Sequence, residues 1–276
     1  MSEEILLTTD DRRPTTVGHA ATAFVARLSS IVPSVLTFIV VIALWEAAVR
    51  WFKIPLYLLP APSQVLATLL ERPDYLLRIG LVTFTNALAG CAVGCGLGVL
   101  VAALCVRWRP VADGLIPLSV AASAVPIIAL SPLLGIWLGS ISPASKIAVV
   151  AVMTFFPTLV NVYNGLISPH ADALDLLRSY AANERAVFLK LRAPIALPFL
   201  FNALRICATL SMIGAVIAEF FGGPQNALGV YIKTQAGILR TPEAWAAIVV
   251  ACLFGLLLYG AVLLAEWLAM PWRRRG

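Results

Sequence analysis

Residues able to do chemistry are few in this chain, and they stand apart in an apolar sequence. His170, Asp172 and Asp175 have a spacing that can in principle collect a metal ion, but Asp172 serves equally as an acid at a helix N-terminus. The only other histidine, His19, lies near the start of the chain, and no metal site is assigned. No GxxxxGKS or GxxxxGKT run offers a phosphate-cradling loop, and neither GxSxG nor HExxH occurs. The chain therefore has no signature of an enzyme and no binding loop of its own for ATP. Arg205, deep inside an apolar run with Asn202 and Thr209 near its face, can attract an anionic solute or bond the backbone carbonyls of a broken neighbouring helix.

The elements that must carry these residues are membrane helices. Of 276 residues, 61% are hydrophobic and 12% charged, against about 25% charged in a soluble domain. A mean hydropathy of +0.92 along the whole chain needs lipid as its solvent. The net charge of +6 then reads as topology and headgroup contact, with no basic, aromatic-interleaved stripe for nucleic acid. Cys91, Cys95, Cys105, Cys207 and Cys252 all sit in apolar runs without a CxxC pair, so they read as small packing residues.

Residues 1–27 read as a cytoplasmic tail without a cleavable signal, and 28–276 as one all-α polytopic membrane domain. Six spans are expected, at about 31–52, 79–106, 114–139, 147–167, 193–221 and 244–270. In the first, Glu46 and Arg50 are four apart and can pair. Ser63 is placed to cap a short interfacial helix after Pro55, Pro60 and Pro62. In the second, Gly90, Gly94 and Gly98 form a flat strip for close helix packing. The third is interrupted by Pro117, Pro126 and Pro132, a pattern suited to a cavity or a moving neighbour. Glu219 falls near the outer end of the fifth span and reads as interfacial, and Glu266 near the inner end of the sixth, where it can answer Arg273. Lys and Arg are concentrated in the segments that share a side with both termini, which places the termini in the cytoplasm. No internal repeat supports an inverted-repeat transporter.

Between spans four and five runs the longest polar passage after the tail, residues 168–198. It holds two short helical patterns. Ala171–Tyr180 sets Leu174, Leu177 and Arg178 on one face, and Asn183–Lys190 offers Val187 and Phe188. Helices this short are not stable alone in water and must pack on something. The passage reads as a docking element facing a soluble partner.

Its spacing resembles a known loop. Asp175-Leu-Leu-Arg-Ser-Tyr-Ala181, nine residues, then Leu191-Arg-Ala-Pro194 is similar to the EAA loop of ABC importer permeases, which reads Glu-Ala-Ala, three residues, Gly, nine residues, Ile-x-Leu-Pro. The spacing matches throughout. Asp175 replaces the glutamate, Leu176 and Leu177 the alanines, Ala181 the glycine, and Ala193 the leucine before the proline. Leu59-Pro-Ala-Pro62 with Val65, the run Val125–Gly139, Ser145-Lys146, Leu204-Arg205, Ala218-Glu219, Gly222-Gly-Pro224 and Leu228-Gly229 look like the branch importing nitrate, sulfonates and taurine, with pyrimidine and riboflavin permeases as relatives.

The resemblance implies a type I ABC importer fold in a bacterial inner membrane, with cytoplasmic coupling helices. It implies a second permease copy, a dimer of cytoplasmic ATPases that hold the ATP and Mg²⁺, and an extracytoplasmic solute-binding protein. Asp175, Leu177, Arg178, Ala181, Asn183, Glu184, Phe188, Leu191 and Pro194 would then couple to the ATPase. If the position of Ala181 needs a positive φ, alanine costs about 1 kcal/mol there; the turn can instead centre on Asn183. From span geometry and polarity, Ser119, Ser123, Asn202, Arg205 and Thr209 are candidate solute contacts. Two other readings stay open: an ATP-independent channel or secondary transporter built on Arg205 and the broken third span, and a membrane scaffold.

Overall fold

Every regular element among the described residues is a helix. The structure is a computed structural model that describes residues 16–271, with side chains placed from residue 32 onward apart from 34 and 128. Most of the expected tail and Arg273–Arg275 lie outside the described residues. Eleven α-helices follow in order: α1 Thr16–Trp51, α2 Pro62–Glu71, α3 Pro73–Arg107, α4 Arg109–Ala122, α5 Ile127–Leu138, α6 Pro143–Ile167, α7 Ala171–Ser179, α8 Glu184–Val187, α9 Ala193–Phe221, α10 Leu228–Gly237 and α11 Thr241–Ala269, with a π-helical turn, Phe188–Arg192, between α8 and α9. No strand occurs among the described residues.

The chain divides into two units. The first holds α1 and Ala61–Ser63. There Glu46 accepts from Arg50 Nε at 2.6 Å, from Ser63 Oγ at 2.8 Å and from Ser63 N–H at 3.0 Å. Ser63 therefore does not cap α2: Pro62 opens that helix, and the Glu46 carboxylate takes up an N–H of its first turn.

The second unit, Pro55–Pro60 with Gln64 onward, is built on α3, α6 and α9, each packed on the other two. The glycine strip explains the closest of these contacts. A Cβ on Gly90 would stand 2.8 Å from Ile147 O, and one on Gly98 2.8 Å from Thr158 Cβ. One on Gly94 would run into Ala151 O and Thr154 Oγ1. With no side chain between them the two backbones meet, which is how helices gain contact where lipid removes any hydrophobic drive. Gly94→Ala is expected to cost about 1–3 kcal/mol, read as a lower Tm of the detergent-purified chain. Gly96→Ala, facing open space on the same helix, should leave Tm unchanged.

Below the strip, Ala102, Leu159, Val162, Leu166 and Ala196 form one buried cluster; above it, Ile79, Ala87, Val150, Met212, Val250 and Phe254 belong to another. Cys91, Cys95 and Cys207 fill the space between with Thr158, which bonds Cys95 Sγ and Cys207 Sγ at 3.3 Å each.

Among the described residues four helices are long and apolar enough to cross a bilayer: α3, α6, α9 together with Glu184–Arg192, and α11. The stretch 114–139 is not one helix. It breaks at Ser123–Pro126 into α4 and α5, while Pro117 and Pro132 are accommodated within helices. The ring of Pro126 excludes Val125 from the helical region and removes a backbone donor. Leu253, Leu256, Leu257, Leu264 and Leu268 of α11 stay exposed, the pattern of a lipid-facing helix.

Candidate functional site

The polar passage folds as two short helices joined by one tight turn. α7 ends with Tyr180 as its cap residue, and Ala181 follows with φ +53°. Ala181 N–H donates to Arg178 O at 2.9 Å and Ala182 N–H to Leu177 O at 3.0 Å. These are the two bonds of a Schellman motif, with its left-handed residue at Ala181. Asn183 is not the left-handed residue. It is extended, φ −72° and ψ 163°, and its side chain accepts from Ala186 N–H at 2.8 Å, so it caps α8.

An alanine thus holds a conformation suited to glycine, at a cost of about 1 kcal/mol. Ala181→Gly is expected to relieve it and to slow amide exchange at Ala182 about fivefold, measured by hydrogen–deuterium exchange.

The second helix runs without interruption from Glu184 into the membrane. Pro194 has no N–H for Lys190 O, and its ring crowds that carbonyl. The chain answers with the π turn just before it, in which Ala193 N–H reaches Phe188 O, five residues back. Helix α8 and the membrane helix α9 therefore form one rigid arm. At the base of that arm, Arg192 donates to Leu166 O at the end of α6 at 2.9 Å.

The coupling candidates divide between two faces. Val187 is buried, Phe188 is half-buried against the cluster of Ala102, Leu159 and Ala196, and Leu174, Leu177 and Leu191 are half-buried. Asp175 and Arg178 pair with each other at 3.1 Å while both remain largely exposed, an ion pair worth little by itself. Ala181, Glu184 and Pro194 are exposed. Three further residues are left bare: Leu176 at 58%, Tyr180 at 77% and Leu189 at 55% exposure. Sequence reasoning passed over them because it looked for the apolar stripe that packs inward. The signal available was Leu176 and Tyr180, four apart on a helix whose inner face was already supplied by Leu174 and Leu177. Beside them Arg107 at the end of α3, Glu184, Arg185, Phe188 and Arg192 line a cleft of about 740 Å³.

The solute-path candidates are not gathered in one place. Asn202, Arg205 and Thr209 share one face of α9 with exposed Ile206 and Ile213. Ser119 and Ser123 are on α4, which packs against α3 and α6. Ser119 is buried and donates to Leu115 O at 2.7 Å; Ser123 is exposed and donates to Ser119 O at 2.9 Å. Asn202 donates to Asn161 Oδ1 at 3.3 Å, and Thr209 to Ile206 O at 2.9 Å.

Arg205 has a partner that the sequence reading missed. Its Nε donates to Glu266 Oε2 at 2.8 Å, and a terminal nitrogen reaches the same oxygen, so the intramembrane arginine is neutralised by α11. Glu266 is thereby tied to Arg205; the Arg273 expected to answer it lies outside the described residues.

Glu219 is likewise not interfacial. It is 0% exposed and accepts from Thr83 Oγ1 at 2.8 Å, Gly229 N–H at 3.0 Å and Asn86 Nδ2 at 3.5 Å. Thr83 Oγ1 in turn accepts from Leu228 N–H at 3.0 Å. One carboxylate therefore joins α3, α9 and the first turn of α10.

An all-helical apolar bundle with four helices able to cross a bilayer, presenting a polar two-helix loop, is the architecture of a multi-pass membrane protein. The family profile of the binding-protein-dependent transport system inner membrane component matches residues 94–272, and the chain belongs to that family. It is 32% identical to the formylaminopyrimidine transport permease ThiX of Halalkalibacterium halodurans, over 87% of this chain and 95% of the relative. It is 29% identical to the riboflavin transport system permease RibX of Chloroflexus aurantiacus, over 86% and 88%. With the aliphatic sulfonates transport permease SsuC of Bacillus subtilis it shares 26% identity over 85% of each.

Proposed function

We propose that the chain is the permease subunit of an ABC importer, forming the path for a small organic or anionic solute. The candidates are a sulfonate, taurine or nitrate-like anion, or a pyrimidine or riboflavin-type vitamin precursor, as the relatives' names suggest. An extracytoplasmic binding protein delivers the solute, two copies of the chain enclose the path, and a cytoplasmic ATPase dimer binds ATP and Mg²⁺. Both termini and the α7–α8 loop face the cytoplasm.

The observation that carries this reading is the loop itself. Its turn is closed by paired hydrogen bonds, its second helix continues into α9, and it leaves Leu176, Tyr180 and Leu189 exposed on a polar segment. A push on such a loop reaches the membrane helix without slack. ATP-driven closure of the partner can then favour one of two global states of the bundle, as coupling requires. An ATP-independent channel built on Arg205 draws less support, because that guanidinium is committed to Glu266.

The test is co-purification of the ATPase with the tagged chain from native membranes, together with ATP-driven uptake. Arg178→Glu, Glu184→Arg and a bulky Ala181→Leu should each reduce both. Full complex yield and full uptake in all three variants would overturn the assignment.

A further inference from the structure

Among the described residues Lys146 is a buried cation without an ion-pair partner. It is 2% exposed, in the first turns of α6. Its ammonium donates to Ser140 O and to Ser145 Oγ, the latter at 3.0 Å. Both acceptors are neutral. Among the described residues no carboxylate comes within the 4.0 Å of an ion pair. Glu219 is the counter-charge that acts on it, from beyond that distance and with its oxygens already receiving Thr83 and Gly229. A buried charge whose direct partners are neutral is only partly compensated. The amides at the start of α6 add positive potential at the same place.

The ammonium faces a cavity of about 170 Å³ between α5, α6 and the end of α9. Ser131 and Ser140 line it, Ser131 as a buried residue and Ser140 on the exposed rim, and neither hydroxyl has a hydrogen-bond partner among the described residues. Glycines keep the space open: a Cβ on Gly135 would stand 3.3 Å from Ser140 Oγ, and one on Gly222 3.2 Å from Ser140 Cβ. At about 30 Å³ for each water-sized group, the volume suits an oxyanion of a few heavy atoms.

We infer that this cavity is an oxyanion subsite, in which Lys146 Nζ and the Ser131 and Ser140 hydroxyls hold a planar or tetrahedral acidic group. In the proposed orientation it lies at the extracytoplasmic end of the bundle. Its occupant is either the acidic head group of a solute or a free inorganic anion; the first source rests on the permease reading, the second does not.

The experiment measures binding of sodium nitrate and of sodium methanesulfonate to the full-length chain in nanodiscs, by thermal shift against gluconate at equal ionic strength. Saturable stabilisation is expected from at least one anion. Lys146→Met should weaken it at least about tenfold, the loss of one charge-assisted hydrogen bond, and Ser131→Ala should weaken it while leaving the anion-free Tm unchanged. Should Lys146→Met not fold, Ser131→Ala decides alone. Binding of methanesulfonate assigns the site to a sulfonate head group, and binding of nitrate alone to a small inorganic anion, which is the solute only if the assembled complex also takes nitrate up. No stabilisation by either anion, or equal stabilisation of every variant that folds, overturns the subsite. Uptake by the assembled complex that persists beside that negative result would leave the permease reading standing.

Discussion

Tyr180→Ala is expected to weaken docking of the cytoplasmic ATPase about thirtyfold while leaving the fold of the chain unchanged. Tyr180 is 77% exposed, at the cap of α7, with Leu176 one turn before it at 58% exposure. Apolar groups left bare on a polar loop mark contact with a partner. Aromatic residues at the centre of such a contact lose about 2 kcal/mol or more on truncation, which sets the thirtyfold estimate. Because the side chain packs on little within its own chain, Tm should stay within about a degree of the parent, as for surface substitutions generally. Affinity is read by titrating the purified ATPase onto the permease in nanodiscs. Arg178→Ala makes a useful contrast. It removes only an exposed pair with Asp175, so its effect through that pair should stay below about threefold. If Tyr180→Ala binds the ATPase as the parent does, the exposed face of α7 is not the docking face.

What was legible in the sequence was whatever depends on neighbours along the chain. Apolar runs gave the membrane helices, and the spacing of Gly90, Gly94 and Gly98 gave a close-packed strip because positions four apart share one helix face. Asn183 instead caps α8, a role the sequence reading did not give it. What was not legible depends on helix rotation and pairing across the bundle. Arg205 meets Glu266 across 61 residues, and Glu219 meets Thr83 across 136, and no local pattern encodes either distance. The loop between α7 and α8 shows both sides of this. Its spacing marked position 181, but whether Ala181 or Asn183 took the left-handed conformation depended on which carbonyls the turn had to satisfy. Two of them, Leu177 O and Arg178 O, are at the end of α7, and only a left-handed residue at 181 brings the next amides back to both.

Glu219→Leu should be the most destabilising single change in the bundle, at about 3–5 kcal/mol, the range for breaking a buried charged network. The carboxylate is fully enclosed, and its removal strands Gly229 N–H at the start of α10 and the Asn86 amide of α3. Thr83 completes the circuit, since its hydroxyl donates to Glu219 and accepts from Leu228 N–H. Thr83→Val should therefore cost about 1–3 kcal/mol by leaving that N–H unpaired. The two losses should not add: with either residue gone the other has less to support, and a double-mutant cycle should return a coupling of about 1 kcal/mol or more. Glu219→Gln keeps an acceptor oxygen and should recover part of the stability. The readout is thermal unfolding in detergent with the ATPase absent, so that docking does not enter. Equal Tm for the Leu and Gln variants would mean that packing at position 219, rather than the acceptor, holds α3, α9 and α10 together. The expected ordering, parent above Gln above Leu, instead makes the carboxylate the joint between them. A joint of this kind also fixes the loop from Gly222 to Ala227 against α3 and α9, the side of the bundle on which Lys146 and its cavity stand.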